Sequence, residues 1–343
     1  MTDFAIDLKD VDKLYGGVFS RRVHALRGVD MRVGRGEIFG LLGPNGAGKS
    51  TLVKILMTVI RATRAMGTVL GRPVGNKPTL ARVGYLPEHH RFPDYLTGRQ
   101  VIEFYGAMSG VSRHERRKRA AELLDFVGMG KWADTRVRGY SKGMRQRVGI
   151  AQTLVNSPDL VIWDEPTDGV DPVGRRDIRQ MTVELKRKGT TVMLNSHLLS
   201  ELEMVCDRVA ILVQGKVSSQ GTIDELTVHR QRYEIEVSAG DSHVDAGVRK
   251  ALAGWLPDGA LEGRLEGGQT LKANFDSPHL PALITVSTAD AQPVQPIIDA
   301  LRNARLTVRA VKPIRPSLED LFMEAVTDPV TGRTLAPGAK EGA

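Results

Sequence analysis

Cysteine is nearly absent: Cys206 is the single one in 343 residues. No internal disulfide can form, which fits a reducing compartment. Long hydrophobic runs are absent too. The longest, LVIW at 160–163 and VAILV at 209–213, are strand-length and far short of the roughly 20 residues a membrane helix needs. The opening MTDFAIDLKD has no basic flank followed by an apolar core, so no signal peptide is expected. Aromatics are missing from the densest basic run, SRHERRKRA at 112–120. That run therefore reads as a solvated helix face rather than a nucleic-acid patch. No internal repeat stands out.

What is present suits a globular protein with a sizeable core, at 41% hydrophobic and 26% charged residues. The length allows one large domain and a small one. The net charge of +8 is unevenly spread. Residues 231–343 hold 12 Lys+Arg against 15 Asp+Glu, so residues 1–230 hold the remaining 36 against 25, a net of +11. The basic first part would suit nucleotide phosphates, an anionic membrane surface or nucleic acid, and charge alone does not choose.

In that first part strand-like runs alternate with helical ones. EIFGLLG at 37–43, VGYLP at 83–87, LVIWDEP at 160–166 and TVMLNSH at 191–197 read as strands. Helical periodicity runs from about Leu96 to Val127 and from Arg175 to Lys188, and ELEMVCDRV starts a helix that leads into AILV. Such alternation predicts an α/β fold with a mainly parallel, layered sheet, and sheets of this kind bind ligands at the carboxyl ends of their strands. Cys206, four residues after Leu202 in a helical run, and Trp163 within LVIW read as core. His89 and His90 lack further ligands in a metal-site pattern and read as loop polarity. Composition shifts near 227–231. Beyond it the order β-α-β-β-α-β-α resembles a small split βαβ domain over 231–327, with 278–293 fitting poorly. The Gly-, Pro- and Ala-rich tail at 328–343 is expected to be disordered.

GPNGAGKS at 43–50 fits GxxxxGK[ST] between a strand and a helix. In this pattern Gly43, Gly46 and Gly48 let the loop, which also takes in Pro44, Asn45 and Ala47, turn its backbone N–H groups toward phosphate oxygens, and the helix N-terminus adds partial positive charge. Lys49 reaches β- and γ-phosphates, the Ser50 hydroxyl suits Mg²⁺, and Thr51 assists at the α-phosphate. LVIWDE supplies the second half. Asp164 at the strand end would hold Mg²⁺ through water, and Glu165 is the candidate general base for an attacking water.

The order of the remaining motifs narrows the choice. From about Ala5 to Gly221 the chain resembles the ATP-binding cassette of ABC transporters, a P-loop ATPase fold with a helical subdomain, here about 89–145, within a domain spanning 1–227. The resemblance implies that Tyr15 in KLYGG stacks on adenine. It puts Asp171 of DGVD in the D-loop and makes His197 of NSH the switch histidine at the γ-phosphate. YSKGM at 140–144 falls at the LSGGQ signature, which in the family faces ATP bound to the other subunit. Ser141 and Gly143 match it; Tyr140, Lys142 and Met144 do not. Lys142 would add positive charge where a γ-phosphate sits. Glu88 stands where the family usually has glutamine, and its carboxylate can still ligate Mg²⁺.

The resemblance implies an ATP-hydrolysing subunit that sandwiches two ATP molecules in a homodimer or heterodimer. It would power a separate transmembrane permease from the cytoplasmic face of the membrane, with the region from about Glu88 to Leu96 meeting that partner. YLPE followed by LT, with the YSKGM form, looks most like bacterial exporters of drugs, polysaccharides or lipids, and SLEDLFMEA resembles the end of an accessory domain often appended to them. The alternative is a soluble cassette protein acting on ribosomes or nucleic acid. Ribosome-acting relatives generally carry two cassettes. DNA-repair relatives carry a long coiled coil between phosphate loop and signature, whereas here Gly43 and Ser141 are 98 positions apart without sustained heptads. No nucleic-acid partner is therefore expected.

Overall fold

A computed structural model describes residues 4–16, 22–227, 231–238, 244–256, 261–265, 270–274 and 282–327. These form two compact units: one runs to Ile223 and takes in Phe322 onward, the other runs from Asp224 to Leu321. The expected tail at 328–343 lies outside the described residues.

The first unit begins with β1 (Phe4–Tyr15), β2 (Val23–Gly34), β3 (Ile38–Leu42), α1 (Lys49–Leu56), β4 (Arg64–Val69), β5 (Arg72–Pro73) and β6 (Val83–Leu86). Three helices follow, α2 (Gly98–Met108), α3 (Arg113–Phe126) and α4 (Lys142–Thr153). Then come β7 (Leu160–Asp164), α5 (Pro172–Arg187), β8 (Thr191–Asn195), α6 (Leu199–Glu203), β9 (Arg208–Val213) and β10 (Lys216–Gly221), and α7 (Ile223–Thr227) crosses into the second unit. Six strands form one sheet in the order β10-β9-β3-β8-β7-β6, parallel throughout except for the edge strand β10. A second, antiparallel sheet has the order β2-β1-β4-β5. Residues of both sheets and of α1 share one core, among them Leu8, Met31, Phe39, Leu52, Ile162 and Leu212. Each such side chain contributes roughly 1.5–3 kcal/mol by leaving water.

Local sequence sets the helix starts. Thr97 and Gln100 form a reciprocal capping box on α2, Ser112 caps α3 and Ser141 caps α4. Asp171 caps α5 with Pro172 at its first position, so this helix begins three residues earlier than its apolar pattern predicts. Trp163 is buried as expected, and its indole N–H donates to Thr153 Oγ1 at 3.1 Å. Cys206 lies just beyond α6 rather than within it, with its amide still bonded to the Leu202 carbonyl. Its thiol sits against Gly40, and burial raises its pKa.

The second unit holds β11 (Arg232–Ser238), α8 (Val244–Ala251), β12 (Glu262–Arg264), β13 (Thr270–Asn274), β14 (Ala282–Val286), α9 (Gln295–Asn303) and β15 (Thr307–Ile314); α10 (Leu318–Val326) crosses its boundary. Its sheet runs β12-β13-β14-β11-β15 with every neighbouring pair antiparallel. The strand β14 falls in the stretch that fitted the predicted order poorly. A split βαβ is present, but β14, α9 and β15 build it, with β11 between the two parallel strands. The pair joined by α8, β11 and β12, runs in opposite directions.

Candidate functional site

The turn between β3 and α1 needs glycine at two places. A Cβ on Gly43 would lie 2.3 Å from the Leu212 carbonyl oxygen. Gly48 has φ +110°, and its Cβ would lie 2.6 Å from the Ala25 carbonyl oxygen. Ala47 is buried and its carbonyl accepts from the Gly215 amide at 2.9 Å, which pins the loop, while Asn45 and Gly46 stand exposed at its crest. No side chain caps α1, so its first N–H groups remain open to an anion. Ser50 and Thr51 lie in that first turn. The Lys49 ammonium is folded into the loop, donating to the carbonyls of Gly43 at 2.6 Å and Pro44 at 3.2 Å.

Opposite this loop the parallel strands β7 and β8 end side by side, with Asp164 in register with Asn195. The Asn195 amide donates to the Asp164 carboxylate. Glu165, the next residue, turns into the left-handed region at φ 51°, and its N–H is held by the Asn195 carbonyl at 2.8 Å. Its buried carboxylate accepts from Ser196 Oγ at 3.2 Å and from the His197 amide at 2.9 Å, and it lies 2.8 Å from His197 Nδ1. The His197 side chain is 62% exposed against 11% for Glu165. The imidazole thus links a buried carboxylate to the surface, an arrangement that can hold and move a proton.

Burial raises the pKa of Asp164, with Glu88 and Glu165 adding to the effect and Asn195 and Lys49 opposing it. Burial lowers the pKa of Lys49, which Glu165, Asp164 and Glu88 oppose. Burial, then Asp164 and Glu88, push Tyr85 up to about 12. The carboxylates of Asp164, Glu165 and Glu88 therefore share one field with the partly buried Lys49 ammonium. Glu88 enters it from the loop after β6, half-exposed. Asp164, Glu88 and the Ser50 hydroxyl offer the hard oxygen donors that Mg²⁺ takes, though among the described residues no group of three or more His, Cys, Asp or Glu side chains is arranged to hold a metal ion by itself. The buried Asn195 Oδ1 has no hydrogen-bond partner, which leaves one more oxygen open beside Asp164.

The other predicted residues stand elsewhere. Tyr15 is exposed at the end of β1, with the Lys13 ammonium 4.8 Å over its ring. Asp171 Oδ1 accepts from the Gly174 amide at 3.1 Å. Ser141 Oγ accepts from the Met144 amide at 3.2 Å. A Cβ on Gly143 would meet nothing within 4 Å, so the chain's own packing gives no reason for glycine there. Tyr140 is buried and donates to the Trp132 carbonyl at 2.6 Å, close over Gly98. The Lys142 ammonium, expected at a γ-phosphate, is bonded to Asp168 at 2.7 Å. Sequence reasoning missed the supporting roles of Asn195, Ser196 and Gln146, whose side-chain amide donates to the Glu165 carbonyl at 3.3 Å. The NSH triplet at a strand end was the available signal for the first two.

A family model described as ABC transporter matches residues 26–168. An uncharacterized ABC transporter ATP-binding protein of Synechocystis is 36% identical over 94% of this chain and 85% of its own length. The daunorubicin/doxorubicin resistance ATP-binding protein DrrA of Streptomyces peucetius is 30% identical over 98% of this chain and 97% of its own. Among solved structures, an ATP binding subunit of an ABC transporter matches with a TM-score of 0.58 at 29% identity, over 65% of this chain and 91% of that one. A dimeric ATP-binding cassette in a post-hydrolysis state with ADP and Pi matches with a TM-score of 0.58 at 26% identity, over 63% and 98%. With 36% identity spanning most of both chains in the Synechocystis protein, and the family model matching the stretch that holds the phosphate loop and the acidic strand end, the chain belongs to the ATP-binding subunits of ABC transporters.

Proposed function

We propose that this subunit hydrolyses ATP to drive export of drugs, polysaccharides or lipids through a separate transmembrane permease, held by it at the cytoplasmic face of the membrane. The observation that carries the hydrolytic reading is the Glu165 carboxylate, buried, fixed by Ser196 and the His197 amide, and joined to an exposed imidazole. The relatives named for daunorubicin and doxorubicin resistance support the export reading.

The phosphates of ATP lie along the 43–51 loop, against its backbone N–H groups and those of α1, and Lys49 leaves its carbonyl cradle for the β- and γ-phosphates. Tyr15 stacks on adenine. Ser50, Asp164 and Glu88 would hold Mg²⁺, which would supply charge neutralisation at the phosphates. Glu165 takes a proton from water, whose oxygen forms the bond to the γ-phosphorus as the bond to ADP breaks. His197 steadies the γ-phosphate and the Glu165 carboxylate. Ser141, Gly143 and the N-terminus of α4 meet the γ-phosphate bound to a second chain, which accounts for the open space around Gly143, and Asp171 lies at that junction. ATP thus closes a head-to-tail pair and hydrolysis opens it. The 1–227 cassette, with its helical part at 89–145, meets the permease near Glu88 to Leu96, and 231–327 is an accessory domain.

The test is ATP hydrolysis by the full chain alone and with a co-purifying membrane subunit. Activity that rises with the membrane subunit supports the reading. Consistent recovery with ribosomes instead overturns it.

A further inference from the structure

Lys142 and Gln146 stand one turn apart on α4 and reach the same loop. Lys142 Nζ donates to Asp168 Oδ2 at 2.7 Å, and the buried Gln146 amide donates to the Glu165 carbonyl at 3.3 Å. That carbonyl also accepts from the Asp168 amide at 3.2 Å, so the two anchor points belong to one hydrogen-bonded turn. Within it Glu165 holds φ 51°, a conformation that a residue with a Cβ keeps only where its surroundings impose it. Gly169 completes the arrangement. It holds φ +65°, and a Cβ there would lie 2.4 Å from the flexible end of Lys142, so the lysine lies directly against the turn.

We propose that Lys142 and Gln146 are positioning residues that clasp the 165–168 turn and aim the Glu165 carboxylate of their own chain. This rests on the reading above that Glu165 activates water. Neither residue touches a reacting atom; Lys142 acts through Asp168, and Gln146 through the Glu165 backbone. The consequence is a second duty for α4. The helix whose capped N-terminus meets nucleotide on a partner chain also sets the general base at home, so engagement at one site of a pair is passed to the other. The Lys142 and Asp168 side chains are 63% and 44% exposed. An ion pair that open holds little of the fold together, which suits a contact remade as α4 shifts.

The experiment is steady-state ATP hydrolysis by the full chain, with amide hydrogen exchange read at 165–169. Lys142→Ala and Asp168→Ala are each expected to lower kcat about fivefold while KM for ATP changes less than about twofold. The exchanged pair Lys142→Asp with Asp168→Lys should recover kcat to within about twofold of the parent, while each single exchange stays low. Exchange at 165–169 should quicken in Lys142→Ala. Parental kcat in the single variants, or a loss confined to KM, overturns the proposal, the latter by placing Lys142 on nucleotide directly. A double exchange no better than its singles overturns it too. A parent without ATPase activity sinks the function proposed above. The clasp is still judged in that case, since unchanged hydrogen exchange in Lys142→Ala refutes it whatever the turnover.

Discussion

The proposed hydrolysis places its proton transfer on one side chain, Glu165. Its carboxylate accepts hydrogen bonds from Ser196 and the His197 amide, so Glu165→Gln keeps the shape of the site while removing the base. Turnover should fall by about 10²–10⁴-fold, with ATP binding retained and a long-lived ATP-bound dimer. Steady-state hydrolysis and equilibrium nucleotide binding separate the two effects, and normal hydrolysis would remove Glu165 from its role. Asp164 behaves differently. Its folded pKa is raised by burial. The stability it contributes is therefore present below the ordinary carboxylate range and lost as pH rises through the raised value. Above that range burial disfavours the ionised carboxylate. Asp164→Asn should raise the melting temperature of the nucleotide-free chain by about 2–4 °C while abolishing Mg²⁺-dependent turnover. The advantage should vanish in acid, where Asp164 is itself protonated. Calorimetry at neutral and acid pH checks this.

At the scale of elements, the helix starts carry local capping signals that apolar periodicity missed: it ran unbroken from about Leu96 to Val127 and began α5 only at Arg175. Thr97 with Gln100, Ser112, Ser141 and Asp171 with Pro172 are all local signals. Thr97→Ala removes the capping bond of α2 alone, so denaturant titration should show a loss of about 1 kcal/mol, with nucleotide affinity unchanged. Strands were less legible. The run at 29–33 in β2 buries Val29, Met31 and Val33 in alternation, yet Gly28 at φ +65° breaks the pattern before it. The strand β14 offers only ALITV. Its assignment depends on pairing with β13 just before it and with β11, far earlier in sequence, where Ile235 faces Ile284.

For the whole molecule, the proposed head-to-tail pairing makes a distinct prediction. Lys49→Ala and Ser141→Ala chains should each be inactive alone, because every site then lacks one half. Mixed, they should regain activity from at most one site per dimer, since one site then keeps both Lys49 and Ser141 intact. Turnover measured against mixing ratio checks this, and a fully active monomer would refute the sandwich.

Sequence by itself determined the phosphate loop, the acidic strand end, the capped helices and the family they indicate. Each depends on residues a few positions apart, whose φ preferences and hydrogen-bonding groups act locally. Tertiary structure alone decided what surrounds them. The parallel register of β7 and β8 sets Asn195 beside Asp164, and the left-handed turn after β7 brings Glu165 to Ser196 and His197. The approach of α4 to that turn gives Lys142 to Asp168 and Gln146 to Glu165. These contacts join residues separated by some 20 to 30 positions through packed strands and helices, and no local preference specifies which partner a side chain meets across such a gap.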